Sequence, residues 1–527
     1  MSHRLGIDVG GTHTDAVILD EQNRLVAKTK ARTTPDVTTG IVQALNQILE
    51  QPGVDRRFIA FAMLGTTHCT NAITERKHLS KVGAIRIGAP ATLSIPPLFS
   101  WPADLREAVA YKTFILHGGH EFDGREITRL DEKEIDQVIG ELVGQVDGVA
   151  VTSVFSPVNP AHEKFLGDRL RKAFGDSVPI TLSHEIGSVG LLERENATVL
   201  NAALIRTAQL AFTAFTEAMA KQGIHAQLFL GQNDGTLMAV DYALRYPILT
   251  IASGPSNSLR GGAFLSGLAD AIVVDVGGTT TDVGILVGGF PRESFVAVEI
   301  GGVRTNFRMP DLISIGLGGG SRIRGENGRV RVGPDSVGYR LEEESLIFGG
   351  KTFTATDVAV AMGRAKLGDA SKLGKLIHKT AKQADRTIRQ MVERCIDGLK
   401  LSPAPVPVVL VGGGSILLPD KIEGTSKVHR PEHFDVANAI GVAIAPVSAQ
   451  IDRLFSYDVQ SRQEALQEAK NLAIEKTRSA GADENTIEIV DLEEIAMTYL
   501  QGRVVRVKVK AAGPLSPDRV PVRASAS

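Results

Sequence analysis

Asp8–Leu19 reads DVGGTHTDAVIL, and Asp275–Leu286 reads DVGGTTTDVGIL. The two stretches differ only at His13 versus Thr280, Ala16 versus Val283 and Val17 versus Gly284. Such a match half a chain apart marks a duplicated structural unit. Each copy has the same local grammar. A short apolar, β-branched run (Leu5 to Val9; Ala271 to Val276) meets a Gly-Gly pair and threonines, and a second apolar run follows (Ala16 to Leu19; Val283 to Val287). Strand, glycine turn and strand predict a β-hairpin in each half.

The turns carry a chemistry that turn formation alone does not require. Gly10, Gly11, Gly277 and Gly278 let main-chain N–H groups approach an anion with no Cβ in the way. The hydroxyls of Thr12, Thr14, Thr279 and Thr280 add donors of the kind phosphate oxygens accept. Asp8 and Asp275, at the strand ends before the turns, suit Mg²⁺, directly or through water. A third glycine site, VVLVGGGSILLP (Val408 to Pro419), runs a buried strand into Gly412, Gly413 and Gly414, where a nucleoside can lie against backbone. A fourth, SIGLGGGSRIRG (Ser314 to Gly325), holds Gly318, Gly319 and Gly320 and reads equally as a phosphate or ribose contact and as an interdomain turn.

The 527 residues exceed one ordinary core, so two large lobes and an appendage are expected. Hydrophobic residues make up 43% and charged residues 22%, as in soluble globular proteins. Lys+Arg (58) nearly balance Asp+Glu (60), and no basic stripe stands out, so nucleic acid is not an expected partner. No apolar run reaches the roughly 18–20 residues that span a bilayer, and the first residues lack a signal-peptide pattern. With only Cys69 and Cys395, far apart, both thiols are expected reduced and the protein cytoplasmic.

Apolar residues at helical spacing predict helices over Thr38 to Glu50, Glu163 to Phe174 and Glu193 to Thr216. Helices between strands indicate an α/β architecture with mixed sheets. After about Leu454 the style changes: a charged helical stretch (Arg462 to Ala480) precedes an alternating strand, Arg503 to Lys510. The expected organisation is 1–180, a lobe with the first hairpin; 181–454, a lobe with the second hairpin and the adenosine glycines; and 455–527, a small α+β appendage, frayed from Pro514 to Ser527.

The order of two phosphate hairpins and adenosine glycines resembles the superfamily of acetate kinase, sugar kinases and actin. Ala437 to Ala445 (ANAIGVAIA) is similar to that superfamily's second interdomain helix. More narrowly, GIDVGGTHTDAVILD (Gly6 to Asp20), LGTTHCTNAITER (Leu64 to Arg76), SHEIGSVGLLERENATVLNAAL (Ser183 to Leu204), LTIASGPSNSLRGG (Leu249 to Gly262), DVGGTTTDVG and GLGGGS together resemble the hydantoinase/oxoprolinase family. The resemblance implies duplicated actin-like (ribonuclease H-like) ATPase domains that use ATP and Mg²⁺ to open a hydantoin, lactam or 5-oxoproline ring. Asp8 and Asp275 would hold the metal or orient a nucleophile, in an order the sequence leaves open. Thr66, Thr67 and Asn71 carry the family's GTT–TNA motif, and Glu195 and Asn196 of the ERENAT segment are candidates to line the substrate end.

Two departures stand out. His68 replaces a residue where related members read GTTVATNA, and Gly333 to Gly350 lacks the Cys-containing stretch of larger members. The family also works beside a separately encoded second subunit, so a hetero- or homo-oligomer is expected. Two other ATP-dependent functions share the core: a reactivase that remodels a partner enzyme, and a small-molecule kinase.

Overall fold

The computed structural model describes residues 2–32, 37–187, 189–294, 298–306, 309–326, 329–374, 377–498, 500 and 502–516. It is a mixed α/β fold built on three main sheets. The first has nine strands in the order Glu488–Ala496, Val504–Gly513, Val447–Ser456, Leu237–Ala239, Gln227–Gly231, Ile59–Thr66, His3–Val9, His13–Leu19 and Leu25–Arg32. It therefore takes strands from all three segments that the sequence suggested as separate units.

The strand His3–Val9 pairs antiparallel with His13–Leu19 and parallel with Ile59–Thr66, which sets Val9 beside Thr66. Leu5, Ile7 and Val9 are buried, as are Ala16 to Leu19 across the ladder. Helix Val37–Leu49 covers one face, with Ile41, Ala44, Leu45 and Ile48 buried at the spacing of one helical stripe. The second sheet repeats the plan. Ala271–Val276 pairs antiparallel with Thr281–Val287 and parallel with Val406–Val411. Its cover is helix Ile377–Leu399, whose Ala381, Ala384, Ile388, Val392 and Ile396 share a core with Val274 and Val408.

A third, wholly parallel sheet of Ala110–His117, Val82–Ala89, Gly148–Ser153 and Ile180–Leu182 forms its own apolar core. The helix Leu191–Lys221 packs on it and is buried almost throughout from Arg194 to Ala208. The predicted helices appear as Val37–Leu49, Ala161–Phe174, Leu191–Lys221 and Arg462–Ser479, the last begun by a Ser461–Glu464 capping box.

The two hairpin-bearing sheets meet through two crossing helices, Ser253–Ser266 and Ala437–Ile444. Their contact is backbone on backbone. A Cβ on Gly441 would stand 1.8 Å from the Asn257 carbonyl oxygen, and one on Gly261 would stand 1.8 Å from that of Ala437. At the other end, Pro514 and Leu515, expected to fray, are paired: the Asp483 N–H donates to the Pro514 carbonyl, and Leu515 is buried beside Ala482. Residues 517–527 of that expected tail lie outside the described residues. No helix among the described residues is long and apolar enough to cross a membrane.

Candidate functional site

The two DVGGT turns are superposable in their hydrogen bonding. Gly10 N–H donates to the His13 carbonyl at 3.0 Å, and Gly277 N–H to that of Thr280 at 2.9 Å. In each copy two aspartates face one another across the ladder, Asp8 with Asp15 and Asp275 with Asp282. The turns also touch. A Cβ on Gly278 would meet the Thr12 hydroxyl at 2.7 Å, so the first hairpin's threonine sits on the second hairpin's glycine. Gly11, Thr279 and Thr280 are exposed at this junction, whereas Thr14 is buried in its strand.

Electrostatics separate the four carboxylates. Asp15 is ion-paired with Lys30. Asp8, 4% exposed, accepts hydrogen bonds from two neutral amides, Asn257 Nδ2 at 3.2 Å and Asn438 Nδ2 at 2.9 Å. Burial raises it to about 6, helped by Asp15 and Asp275 and opposed by the two amides. Burial likewise raises Asp275, which accepts a hydrogen bond from Ser258 Oγ at 2.5 Å, and lifts Asp282 to about 6. Among the described residues none of these three forms an ion pair. Desolvated carboxylates without a base are a donor set that fits a hard divalent cation.

The glycine clusters frame the second turn. Gly319 N–H donates to the Gly277 carbonyl at 3.0 Å and Gly320 N–H to that of Gly278 at 2.8 Å. A Cβ on Gly318 would lie 2.4 Å from the Thr279 nitrogen, so only glycine allows this approach. Gly412, in the left-handed region at φ 80°, would put a Cβ 2.2 Å from Asp275 Oδ1, and Gly414 would put one 2.4 Å from the Gly277 oxygen. Gly413 between them is exposed. The structure thus brings together the expected residues of both hairpins and both glycine clusters.

Thr66 and Thr67 end the strand beside Val9, and Thr67 Oγ1 donates to the Val9 carbonyl at 3.4 Å. The Thr66 hydroxyl is tied to His68 Nδ1, while Asn71 Nδ2 reaches Thr67 Oγ1 at 3.4 Å. These residues adjoin the first turn. Glu195 and Asn196, expected to line the substrate end, are committed elsewhere. Glu195 accepts both arms of the fully buried Arg86, each at 2.7 Å. Asn196 accepts from Trp101 Nε1 at 2.6 Å and donates to the Arg304 carbonyl at 2.8 Å. Both side chains hold the core together and leave no group free for a ligand.

Sequence reasoning missed Asn257, Asn438 and Ser258, which hold the two strand-end aspartates. All three lie in helices whose motifs were noted, but their partners are too distant in sequence to suggest the contacts. Asp15 and Asp282 were visible as the second aspartate of each repeat.

Residues 4–174 match the family model "Hydantoinase/oxoprolinase N-terminal region", and residues 194–374 match "Hydantoinase/oxoprolinase". Caprolactamase subunit alpha of Pseudomonas jessenii is 28% identical over 84% of the chain and 65% of its own length. The acetophenone carboxylase gamma subunit of Aromatoleum aromaticum is 26% identical over 82% of the chain and 62% of its own length. The chain thus spans slightly less than two thirds of each relative. The crystal structure of the ATP-dependent caprolactamase from Pseudomonas jessenii shares the fold, with a TM-score of 0.80, 22% identity and coverage of 99% of this chain and 89% of that one.

Proposed function

The chain belongs to the hydantoinase/oxoprolinase family, and from that premise we propose that it uses ATP to open a cyclic amide such as a hydantoin, lactam or 5-oxoproline. The observation that carries the reading is the junction of two phosphate-type turns, Thr12 against Gly278, with three buried aspartates behind them that form no ion pair among the described residues. Matching strand pairing in the two hairpins supports reading them as duplicated actin-like, ribonuclease H-like units, with the segment after about residue 455 as an appendage.

An amide is a poor electrophile. Attack of its oxygen on the γ-phosphorus releases ADP and leaves an imidate-like phosphate. Water adds to the ring carbon, the C–N bond breaks as the ring nitrogen takes a proton and leaves, and a second water cleaves the resulting acyl phosphate to the open acid and phosphate. The protein's share is positioning and charge neutralisation. In this reading the N–H groups and hydroxyls of both turns bind the β- and γ-phosphates from opposite sides. Gly318–Gly320 and Gly412–Gly414 admit the ribose and adenine against backbone. Asp8 and Asp275 would hold Mg²⁺, which neutralises phosphate charge when bound. In this reading Thr66, Thr67 and Asn71, beside the first turn, would face the substrate.

Both relatives named above are subunits of larger enzymes, which supports a second, separately encoded subunit for this chain as well. The test is ADP release with ATP, Mg²⁺ and a panel of hydantoins and lactams, with and without that subunit. Turnover that needs a ring substrate and yields the open acid supports the proposal. ATP turnover indifferent to every ring, with no opened product, sinks it.

A further inference from the structure

A cavity of about 110 Å³ lies away from the phosphate turns, between the strand Val447–Ser456, the helix Arg462–Ser479, the short helix Ser183–Ile186 and the helix Val240–Arg245. Tyr242 and Tyr246, with ring centres 4.8 Å apart, and Leu249, Ile451 and Leu472 supply an apolar wall. The rest of the lining is polar and carries both signs of charge.

The charges do not cancel. Each acid in the wall already has a base: Glu185 is bridged to Arg245, Asp234 to Lys510 at 2.8 Å, and Asp452 to Arg506 at 2.6 Å. The Tyr246 hydroxyl also donates to Glu185, at 3.2 Å. Among the described residues the two half-buried bases in the wall, Arg453 and Lys476, form no ion pair. Lys476 Nζ makes one long contact, 3.3 Å, to the Glu185 backbone carbonyl. Arg453 makes no ion pair or hydrogen bond among the described residues, although Glu468 lies close enough to favour its charge. Burial, with the charges of Arg453 and Arg245, pushes Lys476 down to about 8 against the pull of Glu185. His184, also in the wall, is held by the buried Glu163 at 2.6 Å.

We propose that this cavity is a binding site for a small carboxylic acid, whose carboxylate pairs with Lys476 and Arg453 while its body lies against Tyr242 and Tyr246. Two adjacent cations in a partly desolvated wall are normally paired, yet among the described residues Glu185 and Glu468 attract Lys476 and Arg453 only at a distance and form no ion pair with them. A carboxylate is the anion whose two oxygens suit a guanidinium fork and an ammonium together. The size admits a small organic acid, and the apolar wall suits one with a ring or short hydrocarbon body. The site does not depend on the ring-opening chemistry, because it shares no residue with the two turns.

The test is calorimetric titration of the full chain, without ATP, with cyclopentanecarboxylate, glutarate and cyclopentanol, a ring lacking the carboxylate; none is a cyclic amide. At least one acid should bind, and cyclopentanol should not. Lys476→Met and Arg453→Met should each weaken that acid at least about tenfold, the scale of a lost charge-assisted hydrogen bond. Preference between the two acids tells a ring acid from an open one. In the unaltered protein the bound acid should also protect Lys476 from acetylation by acetic anhydride, read by peptide mass spectrometry, which guards against variants that fail to fold. Absence of binding by both acids at about 10 mM, equal binding of cyclopentanol, undiminished affinity in either variant or unprotected Lys476 overturns the proposal. None of these outcomes depends on whether the chain hydrolyses ATP.

Discussion

Thr12 lies directly on Gly278: the threonine of the first repeat fills the space where any other residue of the second repeat would carry its Cβ. The turns are therefore in contact, and a triphosphate held between them requires that contact to yield. Gly278→Ala should reduce ATP turnover at least about tenfold, as a misplaced phosphate donor does. The new methyl meets Thr12 Oγ1 at 2.7 Å and Cγ2 at 3.0 Å, so adding Thr12→Ser should recover part of the loss. A double-variant cycle on kcat checks this coupling, and strictly additive losses would refute it.

Asn257 and Asn438 are the groups that keep Asp8 ionisable. Asn257→Ala removes a donor to the carboxylate, so Asp8 should move above its present value of about 6. The acid limb of the pH–turnover profile should shift upward by about one unit, the worth of a hydrogen bond to a charged group. An unmoved limb would mean that Asp8 does not titrate in turnover.

Asp8 also sets a sign for stability. Its folded value lies above its unfolded one, so the folded chain takes up this proton first. Its ionisation then lowers stability as pH rises from about 4 to about 6, by at most about 3 kcal/mol. Asp8→Asn lacks that term. Relative to the variant, the unaltered protein should gain stability on acidification across this window, measured by urea unfolding at several pH values. A difference independent of pH would contradict the assignment. The variant should also lose ATP turnover.

The Arg86–Glu195 pair, 0% and 4% exposed, belongs to the core. Glu195→Gln should destabilise the fold by about 3–5 kcal/mol, because it strands a buried guanidinium. Arg86→Met with Glu195→Leu should cost less than either single change, since no unpaired charge remains. Thermal unfolding of Glu195→Gln, Arg86→Met, Glu195→Leu and the double variant decides it. A changed KM with an unchanged unfolding midpoint in Glu195→Gln would return Glu195 to the substrate end.

The hairpins were legible because strand, glycine turn and strand form a pattern local in sequence. Gly318 and Gly412 are glycine for a reason visible within a few residues of the turn each abuts. Glu195 was expected at the substrate end and lies against Arg86, because a charged residue on a helix looks the same whether it faces a cleft or a buried base. The useful signal was elsewhere. Arg86 is the one charged residue of Val82–Ala89, a strand buried along its length, and such an arginine needs a buried acid. The Asn257 and Asn438 contacts depend on how the two helices cross, through Gly261 and Gly441, which no local pattern encodes. Strand order in the nine-stranded sheet is similarly non-local, since nothing in Val447–Ser456 names Leu237–Ala239 as its neighbour.

That strand order has a consequence for synthesis. The ribosome completes Leu237–Ala239 about 200 residues before it delivers Val447–Ser456, the neighbour that covers its edge. At about 5–20 residues per second the nascent chain carries that bare edge for roughly 10–40 seconds. Val504–Gly513 and Glu488–Ala496 close the sheet only after that. Yield during expression should therefore depend on temperature and chaperone supply more steeply than the finished protein's stability would suggest, because the vulnerable species is an incomplete sheet waiting for its last strands.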